Sequence, residues 1–503
     1  MPAPSDWLTP WARFQPDAEA LFDVGTGRRW TWAELDRGAR RWAGWLATCG
    51  VEAGDRVAVL AKNRGETIEL LFAAAHLGAV LFPMNWRLSP AELRWQLDDC
   101  GPRVLLTDTE HQALALGDWP RSTFEAAAAS EPEHRVSGRC ANTFDDPWQL
   151  MYTSGSTGRP KGALLTHRQA LFNAIDTTLA CDLDRTSSTL TFAPLFHTGG
   201  MNCLTTPLLH RGGRVVLVPS LDAAEALALI EAEGVTHLMG VPTIYQMLAD
   251  HPTFATTDLS GVRDALCGGA PLSVQLMERY QARGIPLRQG FGLTEVGPNC
   301  FSMPADQARA RMQEQPDNPT AGPPGSCVGR PIHHLDAKVV RADGSACSPG
   351  EPGELLLRGP AVCAGYWGRP DATAASIIDG WFHTGDILSV DQDGFFYVRG
   401  RLKEMFISGG ENVYPAEVES ALQACPGVAL AAVVGVPDER WGEVGRAFVE
   451  TAPGAALDPA SLRGFLDGRL ARYKVPKHFT LTPALPRTGS GKLDKAALAA
   501  LPL

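Results

Sequence analysis

The amino-acid sequence predicts an α/β protein: a large N-terminal domain of parallel, helix-covered sheets with a β-barrel-like section, followed by a small α+β C-terminal domain. Three observations predict it. Short β-branched runs alternate with amphipathic helical stretches through the first part of the chain. After about Gly322 the runs follow one another with only Gly/Asp turns between them. Beyond Arg401–Lys403 helices and strands mix again. At 503 residues the chain exceeds one ordinary domain, and these changes divide it into 1–401 and 402–503.

The N-terminal strands are read from "RVAVLAKN", "RVLLTD", "STLTFAPL", "GRVVLVPS" and "DALCGGAP", each closed by a turn-forming or polar residue. Helices lie between several of them; "DAAEALALIEAEG" carries acids at its start and glycine at its end, as a helix dipole and a C-terminal cap require. Such alternation implies parallel sheets covered on both faces. The apolar stretch "LLFAAAHLGAVLFP", Leu70 to Pro83, is too short to span a bilayer and reads as a helix feeding a buried strand. "DAKVVRADG", "GELLLRGP" and "GFFYVRGR" are the strands of the barrel-like section. The polar stretch Asp306–Ser326 reads as an exposed, mobile loop. In the C-terminal part, "YPAEVESALQAC" and "PASLRGFLDGRLARY" read as helices, and "VALAAVVGVP" and "GRAFVETAP" as strands.

Composition narrows the function. The net charge of −11 argues against sequence-independent nucleic-acid binding, which needs a basic footprint. The eleven cysteines form no C-x-x-C pair and are odd in number, so reduced thiols are expected rather than a disulfide frame or zinc site. The start, "MPAPSDWLTPWARF", has no basic region followed by an apolar run. A cytoplasmic protein without a transmembrane segment is the expectation.

The chemistry concentrates in "YTSGSTGRPKG", Tyr152 to Gly162. Glycines Gly155 and Gly158 let backbone N–H groups converge on one point, Thr153, Ser154, Ser156 and Thr157 add hydroxyls, and Lys161 adds a charge. This suits an anion. It is not the common nucleotide loop G-x-x-x-x-G-K-[ST], because Lys161 follows a proline and precedes a glycine. A Gly/Ser/Thr turn by itself is more often plain surface; here "WQLMY" before it reads as a strand and "THRQALFNAI" after it as a helix.

"APLFHTGG", "CGGAP", "GFGLTE", "GELLLRGP", "WFHTGD", "GRLKEMFISGGENVYPAEVE", "RYKVPK" and "PRTGSGKLDK" follow in order. Together with the first loop they resemble the signature of the adenylate-forming superfamily, which includes acyl-CoA synthetases, amino-acid adenylation domains and beetle luciferases; the match runs from Tyr152 to Lys495. The resemblance implies a ligase that uses ATP, Mg²⁺ and coenzyme A. The Gly/Ser/Thr loop would handle the β- and γ-phosphates while a carboxylate attacks the α-phosphate. Phe291 would lie against adenine, where the family more often has tyrosine; the stacking face is kept and a hydroxyl contact is lost. Gly292 and the segment Gly269, Ala270 and Pro271 would border the nucleotide. Thr294 would donate to a phosphate, and Glu295 would help hold Mg²⁺, a hard cation that prefers oxygen. Asp386 resembles the carboxylate that takes both ribose hydroxyls, and Arg401 the second ribose and phosphate contact. Lys403 stands where the family pivots a mobile small domain. Lys492 resembles the lysine that this domain delivers to stabilise charge on the transferring group. Gly409, Gly410 and Trp441 would lie on the CoA side.

For the acid, His197, Thr198, Met201, Tyr245 and Gly268 are the expected pocket residues. The segments around them carry no Lys or Arg, which disfavours a dicarboxylate, and no acidic partner for an amine is evident near "PLFH". A neutral, mostly apolar acid is left. The expectation is a medium- or long-chain fatty acid, on the likeness of "ISGGENVYPAEVE" and "PDERWGE" to bacterial fatty-acyl-CoA synthetases. A cinnamate- or benzoate-type acid is the alternative, and a separate carrier protein is the alternative acceptor. An ATP-driven switch or transport subunit would instead carry the common loop, and a scaffold would need none of Lys492, Glu295 and Asp386. Related enzymes are often dimeric, so a homodimer is among the expectations.

Overall fold

The computed structural model describes residues 6–130, 142–153, 160–312, 318–322, 325–409, 411–452, 454–487 and 493–502. Two largely parallel sheets make the first part. One has six strands, in the order Arg121–Thr123, Val104–Thr107, Arg56–Leu60, Val80–Pro83, Pro147–Thr153, Lys161–Thr166. The other has seven, in the order Leu287–Gln289, Asp264–Cys267, His237–Gly240, Ser188–Thr191, Arg214–Leu217, Glu19–Asp23, Arg28–Thr31. In each, the last strand is antiparallel. Buried strands such as Val80–Pro83 and Val104–Thr107 are apolar throughout or nearly so because helices cover both faces.

The stretch Leu70–Pro83 splits as expected into a helix, Gly65–Leu77, and a strand, Val80–Pro83. Gly78 ends the helix in the left-handed region at φ +71°, which a side chain would strain. The antiparallel section starts at Phe291–Gly292, earlier than its turn pattern suggests, and forms an eight-stranded sheet. Within the stretch read as a loop, Ala305–Met312 is helical. The last part is a five-stranded sheet with helices Pro415–Gln423 and Pro459–Leu466. The second of these is shorter than the sequence suggests: Asp467, at φ −63° and ψ 131°, is already extended and ends the helix.

Buried amides join the two parallel sheets. Gln149, on a strand of the six-stranded sheet, exchanges side-chain hydrogen bonds with Asn202 at 3.2 and 2.9 Å. Asn173 donates to the Asn202 carbonyl at 2.7 Å and accepts from the Asn299 N–H at 3.3 Å, extending the network to the antiparallel sheet. Asn63 donates to the Ala193 carbonyl and accepts from the Leu195 N–H, pinning the segment that leads to His197. Unpaired, these groups would each carry a desolvation cost, so the sheets are held in one relation rather than many. Among the described residues no helix is long and apolar enough to cross a membrane, and the described cysteines are all free.

Beside this junction His167 stacks on Trp148, with ring centroids 5.1 Å apart, and is 3% exposed. Burial pushes its imidazole down to about 4. A depressed value means that the neutral ring stabilises the fold fully above the unfolded value of about 6.5, and that this is lost as pH falls toward 4. Lowering pH from 7 to 5 is expected to remove about 2 kcal/mol through this residue. His167→Phe, which keeps the stacking, should flatten the dependence of the unfolding midpoint on pH over that range.

Candidate functional site

Four neighbouring parallel strands of the seven-stranded sheet end at one edge, and each is followed by one of the motifs singled out in the sequence. "PLFHTGG" follows Ser188–Thr191, "VPTIY" follows His237–Gly240, "GGAP" follows Asp264–Cys267, and "FGLTE" follows Leu287–Gln289. The carboxyl edge of a parallel sheet is where α/β folds bind ligands, because the chain leaves the sheet there and backbone groups are free to face a crevice.

Glycines let these segments approach one another. A Cβ on Gly292 would lie 1.8 Å from the Pro298 carbonyl oxygen. Gly269 has φ +78°, and a Cβ on Gly268 would lie 3.3 Å from Met239 Cε. Gln289 ties the edge together, donating to the Ala270 carbonyl at 3.1 Å and accepting from the Leu272 N–H at 2.6 Å. Gly269, Ala270 and Pro271 are exposed, and Phe291 is half-buried with its ring edge-on to Phe301.

The six-stranded sheet brings Thr153 and Lys161, which flank the phosphate-type loop in sequence, to this place. Thr153 pairs with Lys161 at the end of the antiparallel strands Pro147–Thr153 and Lys161–Thr166. The sequence suggests a strand, a loop and then a helix; the structure inserts the strand Lys161–Thr166 before the helix His167–Ala180. Ser154, Gly155, Ser156, Thr157 and Gly158 lie outside the described residues, as do Gly410 and Lys492.

Thr153, Glu295, Tyr366 and Lys161 converge. Glu295 is buried at 9% exposure on the turn Thr294–Val296. Its Oε1 accepts from the Thr153 hydroxyl at 3.2 Å and from the Tyr366 hydroxyl at 3.0 Å. The Lys161 ammonium lies 5.1 Å from the centre of the Tyr366 ring, within cation–π range. Burial first, then the charge of Glu295, push the Tyr366 phenol up, so it remains a neutral donor. Gln169 holds the turn by donating to the Thr294 carbonyl at 3.1 Å. Both described hydrogen bonds of the Glu295 carboxylate fall on Oε1, which leaves Oε2 with lone pairs for a hard cation, so this donor set fits Mg²⁺. Tyr366 was not singled out in the sequence. The one available signal was an aromatic residue set among glycines after a strand, in "GPAVCAGYWG".

Asp386 and Arg401 stand opposite each other on neighbouring strands, Arg401 Nε 2.8 Å from Asp386 Oδ1. Asp386 is buried and the Arg401 side chain is 43% exposed, so the carboxylate is fixed while the guanidinium faces outward. Lys403 is exposed in the turn just beyond, before the strand Phe406–Ser408. Gly409, at φ +62°, donates its N–H to the Trp441 carbonyl at 2.9 Å, and the Trp441 side chain is largely exposed.

The acyl-side residues divide. His197 is exposed and caps the short helix Thr198–Met201, accepting from the Gly199 N–H at 3.0 Å. Thr198 is buried beneath it. Met201 and Tyr245, expected to line the pocket, are core residues instead. Both are 0% exposed, and the Tyr245 hydroxyl is committed to the Leu266 carbonyl at 2.8 Å. An apolar residue in a helix beside a site has the same sequence signature whether it faces the site or the core. Met239, which the sequence did not single out, lines a small cleft with Ala193, Gly199 and Gly200. Away from this edge, Asp6, Asp36 and His76 bring metal-type donors together, but Arg40 already supplies the cation at 3.5 and 3.1 Å from the two carboxylates.

Gly292→Ala is expected to destabilise the protein by roughly 1–3 kcal/mol, the scale of forced overpacking. Gly464→Ala, where no atom lies within 4 Å of the new methyl, serves as the control and should be neutral or stabilising. Thermal unfolding of the two variants measures the difference.

Comparison with known proteins gives the family and the fold. Residues 8–367 match the family described as AMP-binding enzyme, and residues 417–492 match the AMP-binding enzyme C-terminal domain. A feruloyl-CoA synthase of Amycolatopsis sp is 44% identical over 496 residues, covering 97% of each chain. Among solved structures, the o-succinylbenzoate CoA synthetase of Bacillus subtilis with its acyl-adenylate intermediate superposes with a TM-score of 0.88 at 31% identity, covering 100% of this chain and 99% of that one. The same enzyme with ATP and magnesium ion gives 0.87 at 31% identity, covering 98% of each chain. With both parts of the chain matched, the protein belongs to the AMP-binding enzyme family.

Proposed function

We propose that this protein is an AMP-forming acid–CoA ligase whose acid is aromatic, of the hydroxycinnamate type. The observation that carries the acid class is the 44% identity, across nearly the whole of both chains, with an enzyme named for feruloyl-CoA. On that ground the aryl alternative displaces the fatty acid expected from the C-terminal motifs. The chemistry of the edge supports it. Gly268, Gly269 and Gly292 present no side chains, which suits a flat ring, and the segments around them carry no Lys or Arg to pair a second carboxylate.

In this reading ATP binds along the carboxyl edge. Phe291 offers a ring face to adenine. Asp386 accepts from the ribose hydroxyls, and Arg401, already paired with it, is placed for ribose or phosphate oxygen. Thr153, Lys161 and the loop between them take the outer phosphates. Glu295 would hold Mg²⁺, which when bound offsets phosphate charge. The acid carboxylate attacks the α-phosphorus, the bond to pyrophosphate breaks, and an acyl-adenylate results. The CoA thiol then attacks the acyl carbon and AMP leaves. The division into 1–401 and 402–503 gives each step its geometry: the small domain brings Lys492 for the first and, turning about Lys403, presents the Gly409, Gly410 and Trp441 side for the second.

CoA-dependent AMP release measured across hydroxycinnamic, benzoic, arylacetic and C8–C16 fatty acids tests the acid class. Hydroxycinnamates are expected to exceed the fatty acids by at least about tenfold in kcat/KM, the discrimination that roughly 1.4 kcal/mol of differential contact provides. A fatty-acid optimum would overturn the aryl assignment, and transfer only to a carrier protein would overturn CoA as acceptor.

Lys492→Ala is expected to slow adenylation by roughly a hundredfold or more, the scale for losing one transition-state electrostatic partner. Thioester formation from supplied acyl-adenylate should be much less affected. Equal loss in both half-reactions would make Lys492 structural.

A further inference from the structure

We propose that Tyr366 is a positioning residue that sets the metal-side carboxylate and the phosphate-side lysine together, through the two ends of one side chain. The inference rests on the ligase reading above and deepens it.

The phenol hydroxyl donates to Glu295 Oε1 at 3.0 Å, and the ring face carries the Lys161 ammonium at 5.1 Å. These partners reach the site from different parts of the fold: Glu295 from a turn leading into the antiparallel sheet, Lys161 from the last strand of the six-stranded sheet. With Oε1 held by Tyr366 and Thr153, the carboxylate cannot rotate freely, and Oε2 is the oxygen presented to a cation. The aromatic face attracts the ammonium, and among the described residues no carboxylate is paired with it, so its charge is left for phosphate.

Tyr366 is itself over-determined. Its N–H donates to the Thr373 hydroxyl at 2.9 Å, and it bridges Ala163. On either side, the Leu164 N–H donates to the Gly365 carbonyl at 2.9 Å and the Trp367 N–H to the Gly162 carbonyl at 2.8 Å. Three residues earlier, the Cys363 N–H donates to the Glu295 carbonyl at 2.8 Å. The same short segment thus grips both the strand that carries Lys161 and the turn that carries Glu295. A carboxylate's outer partner placed this way typically changes metal affinity by about 10–100-fold when removed.

The test measures Mn²⁺ binding, as a probe of the Mg²⁺ site, by electron paramagnetic resonance in the presence of α,β-methylene-ATP. Wild type is expected to show a nucleotide-dependent site. Tyr366→Phe, which keeps the ring over Lys161, should weaken Mn²⁺ by about tenfold or more while leaving the nucleotide affinity measured without metal within about twofold. Tyr366→Leu should weaken both. Replacing Tyr366 by p-aminophenylalanine, which restores a donor of similar reach, should recover most of the Mn²⁺ affinity, and packing alone would not produce that recovery. A wild-type site with Tyr366→Phe binding Mn²⁺ within about twofold of it would overturn the inference and leave the ligase reading standing. A wild type with no nucleotide-dependent Mn²⁺ site would overturn both. If Tyr366→Phe fails to fold, as judged by circular dichroism, the p-aminophenylalanine protein decides: near-wild-type Mn²⁺ affinity supports the donor role, and loss refutes it.

Discussion

The arrangement of the site depends on a short piece of backbone pairing. Residues 363–367 lie along the strand Lys161–Thr166, exchanging hydrogen bonds at Gly162 and Leu164, and reach the Glu295 carbonyl through Cys363. That pairing joins the phosphate-type hairpin of the six-stranded sheet to the antiparallel section that carries Glu295, beside the direct bonds from Thr153 to Glu295 and from Gln169 to the Thr294 carbonyl. The cost of leaving such peptide groups unpaired in a buried place makes the contact hard to lose. Gly365 lets the segment pack on the helix that follows: a Cβ there would lie 2.3 Å from Thr373 Cγ2.

A second layer of rigidity lies below. The Gln149–Asn202 amide pair and its links through Asn173 and Asn299 fix the two parallel sheets and the start of the antiparallel one. Tyr152, next to Thr153, donates to Asp99 at 2.7 Å, and Trp367 donates to the Asp99 carbonyl at 3.1 Å, so the hairpin and the segment beside it share an anchor. The groups proposed to meet ATP therefore sit on a frame tied together by buried hydrogen bonds. The Asp386–Arg401 pair belongs to the same logic, because the carboxylate is buried and oriented before any diol arrives. Preorganisation of this kind lowers the reorganisation needed when charge develops on a transferring group.

The acid side is built differently, and it was the less legible part. Whether an apolar residue faces a pocket or the core is decided by a rotation of a fraction of a helical turn, which spacing alone does not specify. Met201 and Tyr245 look like pocket residues in the sequence and are core in the fold, whereas Met239 is ordinary in the sequence and lines the cleft. The preference between aliphatic and aromatic acids was likewise not readable from the C-terminal motifs, because those motifs serve the chemistry common to all such acids. The aryl acid proposed above rests on similarity across the full length, which averages over pocket and frame alike.

What the sequence determined by itself was the class of chemistry and its order along the chain. Loops that bend backbone toward phosphate need glycine and hydroxyl residues in sequence, and strand–helix alternation imposes parallel sheets, so both are written locally. Tertiary structure alone decided the partnerships. Tyr366 and Glu295 are 71 residues apart, and Thr153 and Glu295 are 142 apart. Nothing in the composition of "GPAVCAGYWG" says that its tyrosine faces that carboxylate. The physical reason is that a hydrogen bond or a cation over a ring is defined within an ångström or so, and such a separation is set only when distant strands pair in register.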